Sequence, residues 1–141
     1  MRVLLDTNVL ASAVATRGLC ADVLREVFAS HDLIISEYLI KELERVLADK
    51  FSLPRDIIEE YIWLLHQDTI VAEGAEIPPI QLKDKSDIPI LGAALQAKAD
   101  VLVTGDLEFQ SLKNVGKLHI LSPRGFWEKL RAQHDAPADG Q

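Results

Sequence analysis

Short apolar runs alternate along the chain with longer segments whose hydrophobic residues recur at helical spacing. Arg2-Val3-Leu4-Leu5 reads as a strand, and residues 8–15 and 19–30 read as helices separated at Thr16-Arg17-Gly18. Leu33-Ile34-Ile35 is a second short strand, followed by Ser36 as a helix cap and by Leu39, Ile40, Leu43, Val46 and Leu47 at helical intervals. Pro54 suits the first turn of another helix, whose buried stripe is expected from Ile57, Ile58, Tyr61, Ile62, Leu64 and Leu65. Thr69-Ile70-Val71 is a weaker strand, and Pro78-Pro79 marks a loop. Ser86 is placed to cap a helix reaching about Lys98, with Pro89 tolerated in its first turn. Val101-Leu102-Val103 is the clearest strand; Leu118 to Leu121 is the last, and Ser122-Pro123 opens the last helix. Strands alternating with helices predict an α/β domain, a three-layer α/β/α sandwich around a mainly parallel sheet. The domain is expected over residues 1–131, with residues 132–141 a disordered polar tail.

Composition narrows this picture little. A chain of 141 residues, 48% apolar and 26% charged, is sized for one ordinary globular domain. No apolar stretch approaches the roughly 20 residues of a membrane span, and the N-terminal apolar run is too short for a secretory signal. A single cysteine, Cys20, excludes an internal disulfide; its expected role is that of a small buried hydrophobe, and the expected compartment is the cytoplasm. The net charge of −7 argues against a generic nucleic-acid binder. Two divalent cations at an acidic site would bring −7 to −3, so the balance weakens that function without excluding it.

The candidate chemistry lies in dispersed carboxylates. Asp6 ends the first strand and Asp106 ends the 101–103 strand through Thr104-Gly105. Ligands of open parallel sheets bind beyond the carboxyl ends of the strands, so both are well placed for function. Either alone is equally readable as a helix cap. Asp87 precedes Ile90, Leu91, Ala94 and Leu95 by three, four, seven and eight positions, which turns it toward the sheet rather than toward water. In the helix after Ser36, Glu42 and Glu44 fall on opposite flanks of the apolar stripe, and helical geometry does not choose between them. Converging carboxylates repel unless a cation lies among them, which points to a hard divalent ion and a phosphate substrate. His31, His66, His119 and His134 are dispersed, no cysteine accompanies them, and zinc is not expected.

Four segments carry a resemblance. Asp6 to Leu10 (DTNVL), Ser36 to Leu47 (SEYLIKELERVL), Asp84 to Leu95 (DKSDIPILGAAL) and Ala99 to Asp106 (ADVLVTGD) resemble the PIN-domain ribonucleases, above all the bacterial VapC-like toxin components of toxin–antitoxin systems. The resemblance spans residues 1 to about 128. It implies an acidic cluster of Asp6, Glu42, Asp87 and Asp106 that binds one or two Mg²⁺ or Mn²⁺ ions, and so selects Glu42 over Glu44. Asp6 and Asp106 are the expected principal ligands, with Asp87 and Glu42 completing the shell. Thr7, Asn8 and Thr104 match positions that line or order the site. Two positions depart from the pattern. Ile88 stands where an acidic or polar residue is usual, leaving Asp84 as the candidate further acidic neighbour, and Leu107-Glu108-Phe109-Gln110 replaces a more typical run.

The implied activity is metal-assisted hydrolysis of RNA phosphodiesters, leaving a 5′-phosphate and a 3′-hydroxyl, by a toxin that pairs with a cognate antitoxin and forms a homodimer. Lys83, Lys85 and Arg17 are the candidate phosphate contacts, with Lys113, Lys117 and Arg124 in segments that could border the same edge. Trp63 and Trp127 are expected in the core or an interface rather than as base-stacking platforms. The rival functions are a non-catalytic PIN-fold interaction module and an RNA-processing nuclease without an antitoxin. A phosphatase of the haloacid dehalogenase type would need a second aspartate two residues after the first, where this chain has Asn8.

Overall fold

The computed structural model describes residues 1–73, 82–85 and 87–134. The elements are, in order, β1 (Arg2–Leu5), α1 (Thr7–Ala15), α2 (Leu19–Ser30), β2 (Asp32–Ser36), α3 (Glu37–Asp49), α4 (Arg55–Leu65), β3 (Ile70–Ala72), α5 (Asp87–Gln96), β4 (Val101–Val103), α6 (Leu107–Ser111), β5 (Asn114–Val115), β6 (Leu118–Leu121) and α7 (Pro123–His134). The expected Ser86 cap and the Pro78-Pro79 loop lie outside the described residues. α7 runs through His134, past the residue 132 at which the tail was expected to begin. Among the described residues no helix is long and apolar enough to cross a membrane.

One six-stranded sheet orders its strands β3-β2-β1-β4-β6-β5. All neighbours are parallel except β5, which runs antiparallel to β6 through Asn114↔His119 and Val115↔Leu118. β5 escaped the sequence pattern because two residues cannot display an alternation. Val3, Leu4 and Leu5 of β1 are each fully buried, as are Leu102 and Val103 of β4. Successive strand residues point to opposite faces, so burial of every one means that helices cover both faces of the sheet. That is why these strands read as continuous apolar runs.

α4 departs from expectation. Ile58, Tyr61 and Leu65 are buried, but Ile57, Leu64 and Trp63 are 39%, 46% and 65% exposed. Positions 58, 61 and 65 form one stripe, and a helix lying on a surface buries a single stripe. Tyr61 fixes the helix by donating its hydroxyl to Leu10 O of α1 at 2.8 Å. Trp127 is partly buried against the core, as is Cys20, whose thiol pKa burial raises.

The strand order reverses between β1 and β4. β1 continues to β2 on one side, whereas β4 joins its other side through Leu5↔Val103. Helices leave both strands at their carboxyl ends, and the crevice opened there is where parallel sheets hold ligands.

Candidate active site

Asp6 leaves β1 at that crevice. Its backbone N–H still pairs with Val103 O at 2.9 Å, so the sheet fixes the residue before its side chain is used. The side chain caps α1, accepting from the Thr7 N–H at 2.7 Å on Oδ1, while Oδ2 accepts from the Thr104 hydroxyl at 2.8 Å. Thr104 is fully buried, and its hydroxyl oxygen accepts the Asp106 N–H at 3.1 Å. One hydroxyl therefore ties the ends of β1 and β4 together. Burial raises the Asp6 pKa against the lowering effect of both hydrogen bonds, and Glu42 and Asp106 raise it further.

Asp106 caps α6 with Oδ1, which accepts from the Glu108 and Phe109 N–H groups at 2.8 and 3.3 Å. The unusual residues after it anchor the turn. Phe109 is fully buried, and Gln110 Nε2 donates to Thr104 O at 2.8 Å. Ile88 packs partly buried against the core, and Asp84 lines the cavity in the role left open by that substitution.

The choice between the glutamates is made across elements. Glu42 Oε1 accepts from the Thr7 hydroxyl at 2.5 Å, Oε2 accepts from the Tyr38 hydroxyl at 3.3 Å, and Arg45 Nη2 stands 3.9 Å from Oε2. Glu44 lines a separate groove between α3 and α4 with Arg55, Ile58 and Trp63. Thr7 thus acts twice: its amide holds Asp6, and its hydroxyl holds Glu42.

Asp87 opens α5 with only 8% of its surface exposed. Burial raises its pKa to about 7, and every charge acting on it adds to the effect: Asp6, Asp84, Asp106 and Glu42 are all carboxylates. One carboxylate oxygen from each of Asp84, Asp87 and Asp106 lies within 4.8 Å of the other two. Asp6 lies outside that group of three but lines the same cavity, and each of its oxygens keeps a lone pair beyond the hydrogen bond it accepts. The residues fit a hard divalent cation. The donors are all oxygen, their separation suits a single ion, and Asp87 sits buried among like charges that a cation would relieve.

The five carboxylates border one cavity of about 500 Å³, whose lining also includes Thr7, Asn8 and Gly105. Lys83, Lys85 and Arg17 are exposed and none of them lines it. Lys83 uses its backbone N–H on Glu108 Oε1 at 3.0 Å, and Arg17 follows the far end of α1. Lys117 belongs to a cleft with Lys98 and Asp100 at the amino ends of the strands, the opposite edge. Lys113 and Arg124 do not line the cavity either. The cations that do are Arg45 and Lys50. They stand three and eight residues after Glu42, Arg45 within one turn of it on α3 and Lys50 at the helix cap; the first of these is readable once Glu42 is chosen.

Residues 2–108 match the PIN domain family. The chain belongs to the PIN domain family, whose members are generally nucleases. Among solved structures it resembles VapBC2 from Rickettsia felis, crystallised bound to a DNA fragment from their promoter. The two align with a TM-score of 0.64 at 15% identity, over 86% of this chain and 98% of that one. At that identity the likeness is one of fold. No curated protein matches the chain significantly.

Proposed function

We propose that this protein is a Mg²⁺- or Mn²⁺-dependent endoribonuclease, the toxin of a type II toxin–antitoxin pair. The observation that carries the nuclease reading is the convergence of Asp84, Asp87 and Asp106 to within 4.8 Å of one another beneath a single cavity. Membership of a nuclease family and the VapBC2-like fold support it.

Asp84, Asp87 and Asp106 would hold a first ion, and Glu42 stands beside them for a second. When bound, the metal supplies an acidified water and charge stabilisation for the leaving 3′ oxygen. The remaining work belongs to the chain. Glu42, oriented by the Thr7 and Tyr38 hydroxyls, is the residue placed to accept the proton of an attacking water. Asp6, oriented by Thr7 and Thr104, lines the same cavity and keeps a lone pair on each oxygen with which to join Asp106 as a ligand. Asn8, exposed at the cavity rim, is a donor for substrate. The partner set we propose is an RNA substrate, a cognate antitoxin that covers this cavity, and a second copy of the chain in a cytoplasmic homodimer.

Purified protein is tested on structured and single-stranded RNAs with Mg²⁺, Mn²⁺ or EDTA, beside Asp106→Asn and Asp6→Asn. Cutting is expected only with metal and is lost in Asp106→Asn; calorimetry of Mn²⁺ binding supplies a readout independent of activity. Protein that neither binds Mn²⁺ nor cuts RNA refutes the metallonuclease reading. The toxin reading predicts a small reading frame beside this gene whose product, added to the protein, abolishes cleavage.

A further inference from the structure

The cavity wall contributed by α3 differs in kind from the rest. Asp84 and Asp87 come from the α5 segment and Asp106 from the start of α6, whereas α3 presents Glu42, Arg45, Val46 and Lys50 at intervals of three, four and eight residues from Glu42. Arg45 and Val46 lie one turn beyond Glu42, and Lys50, the residue that caps α3, lies about two turns beyond. The wall therefore leads away from Glu42 by roughly 4.5 Å at Arg45 and roughly 12 Å at Lys50, all lining the same cavity. In a chain of net charge −7, these two side chains carry the positive charge of the described cavity lining.

Neither cation is committed elsewhere. Arg45 stands 3.9 Å from Glu42 Oε2, beyond hydrogen-bond length, and 68% of its side chain is exposed. Its guanidinium keeps its donors for a second acceptor. Lys50 is exposed, and its ammonium lies 5.6 Å from the centroid of the Phe51 ring, a contact that leaves all three donors unused. Lys41, on the same helix, pairs with Glu37 at 3.0 Å and does not line the cavity.

We propose that Arg45 and Lys50 grip successive phosphates of a single RNA strand lying along α3, and so set the side of the cleavage point from which the site holds its substrate. The inference deepens the nuclease reading and rests on it. The strand is single in this proposal because Asp87 is only 8% exposed, so a phosphate has to enter the cavity to reach it. A duplex carries its phosphates on a rigid cylinder, while a single strand bends to lower one of them into the site. The proposal also relocates the grip from Lys83, Lys85 and Arg17, which the fold keeps off the cavity lining.

The test is fluorescence anisotropy of a labelled single-stranded RNA and of its duplex across a KCl series, with Ca²⁺ supplying the dication. It is joined to single-turnover cleavage in Mn²⁺. The variants are Arg45→Gln, Lys50→Gln, both together, and Lys41→Gln, which makes the same formal charge change off the cavity. Each cavity variant should lower the slope of log K against log salt by about 0.7 and weaken binding roughly fivefold near 0.1 M salt, the double variant by about the product. Half-saturation should rise with little change in the maximal rate, and Lys41→Gln should match wild type. Wild-type slopes in the Arg45 and Lys50 variants, or an equal loss in Lys41→Gln, overturn the grip. Duplex bound as tightly as single strand overturns the single-strand path. Wild type that neither binds nor cuts any RNA is a different failure, that of the nuclease reading itself.

Discussion

Asp87 is held against its own chemistry, and replacing it by asparagine should stabilise the metal-free protein. The carboxyl group ionises at 3.8 when unhindered and at about 7 in the fold, first because it is buried and then because Asp6, Asp84, Asp106 and Glu42 repel its charge. A folded pKa raised above the unfolded one means that the native state holds a proton the unfolded chain releases, so stability falls as pH rises between the two values. The interval is about 3 pH units, or about 4 kcal/mol at 1.36 kcal/mol each, and the open mouth of the cavity screens it to about 2 kcal/mol. Asn keeps the shape and never ionises. In EDTA, the melting temperature of Asp87→Asn should exceed that of wild type by about 5 °C at pH 8, with the gap closing toward pH 4. Saturating Mn²⁺ should reverse the order, because the ion stabilises only a site that binds it. The measurement is calorimetry or circular dichroism melting from pH 4 to pH 8. A variant less stable than wild type at pH 8 in EDTA, or a gap that does not change with pH, refutes the reasoning.

Three other outcomes follow from particular contacts. Thr104→Val removes the donor to Asp6 Oδ2 and the acceptor of the Asp106 N–H while keeping the side-chain shape. It should cost about 2 kcal/mol, read as a shift of the urea midpoint at unchanged slope. Glu42→Gln should lower the cleavage rate by at least about 100-fold, the smaller end of a general-base contribution, whereas Glu44→Gln in its separate groove should leave it near wild type. Trp63→Ser should change stability by less than about 0.5 kcal/mol, because the indole is 65% exposed; a loss of several kcal/mol in a concentration-dependent melt would instead reveal a surface that a second copy covers.

The chain's pattern alone determined the layers of this domain and the two strand ends at which its chemistry sits. Strands buried on both faces must be apolar, so residues 3–5 and Val101–Val103 stand out by composition, and the first aspartate after each run falls at the carboxyl edge. The inward turn of Asp87 followed from helical spacing, because that is a property of one element. What lay beyond reach depended on contacts between elements. Glu42 and Glu44 flank their stripe symmetrically, so periodicity left the choice to the resemblance; in the fold the Thr7 hydroxyl, arriving from α1, meets Glu42, while Glu44 faces a separate groove. Periodicity could not decide which half of the α4 apolar residues would be covered, since that depends on where α1 and α3 leave off. Asp84 lines the cavity as the sequence suggested, but its neighbours Lys83 and Lys85, and Arg17, do not, because loops and helix ends are aimed by tertiary packing. Sequence spacing is a distance along one chain direction, and a site built where four stretches of chain meet is fixed by the packing that brings them together.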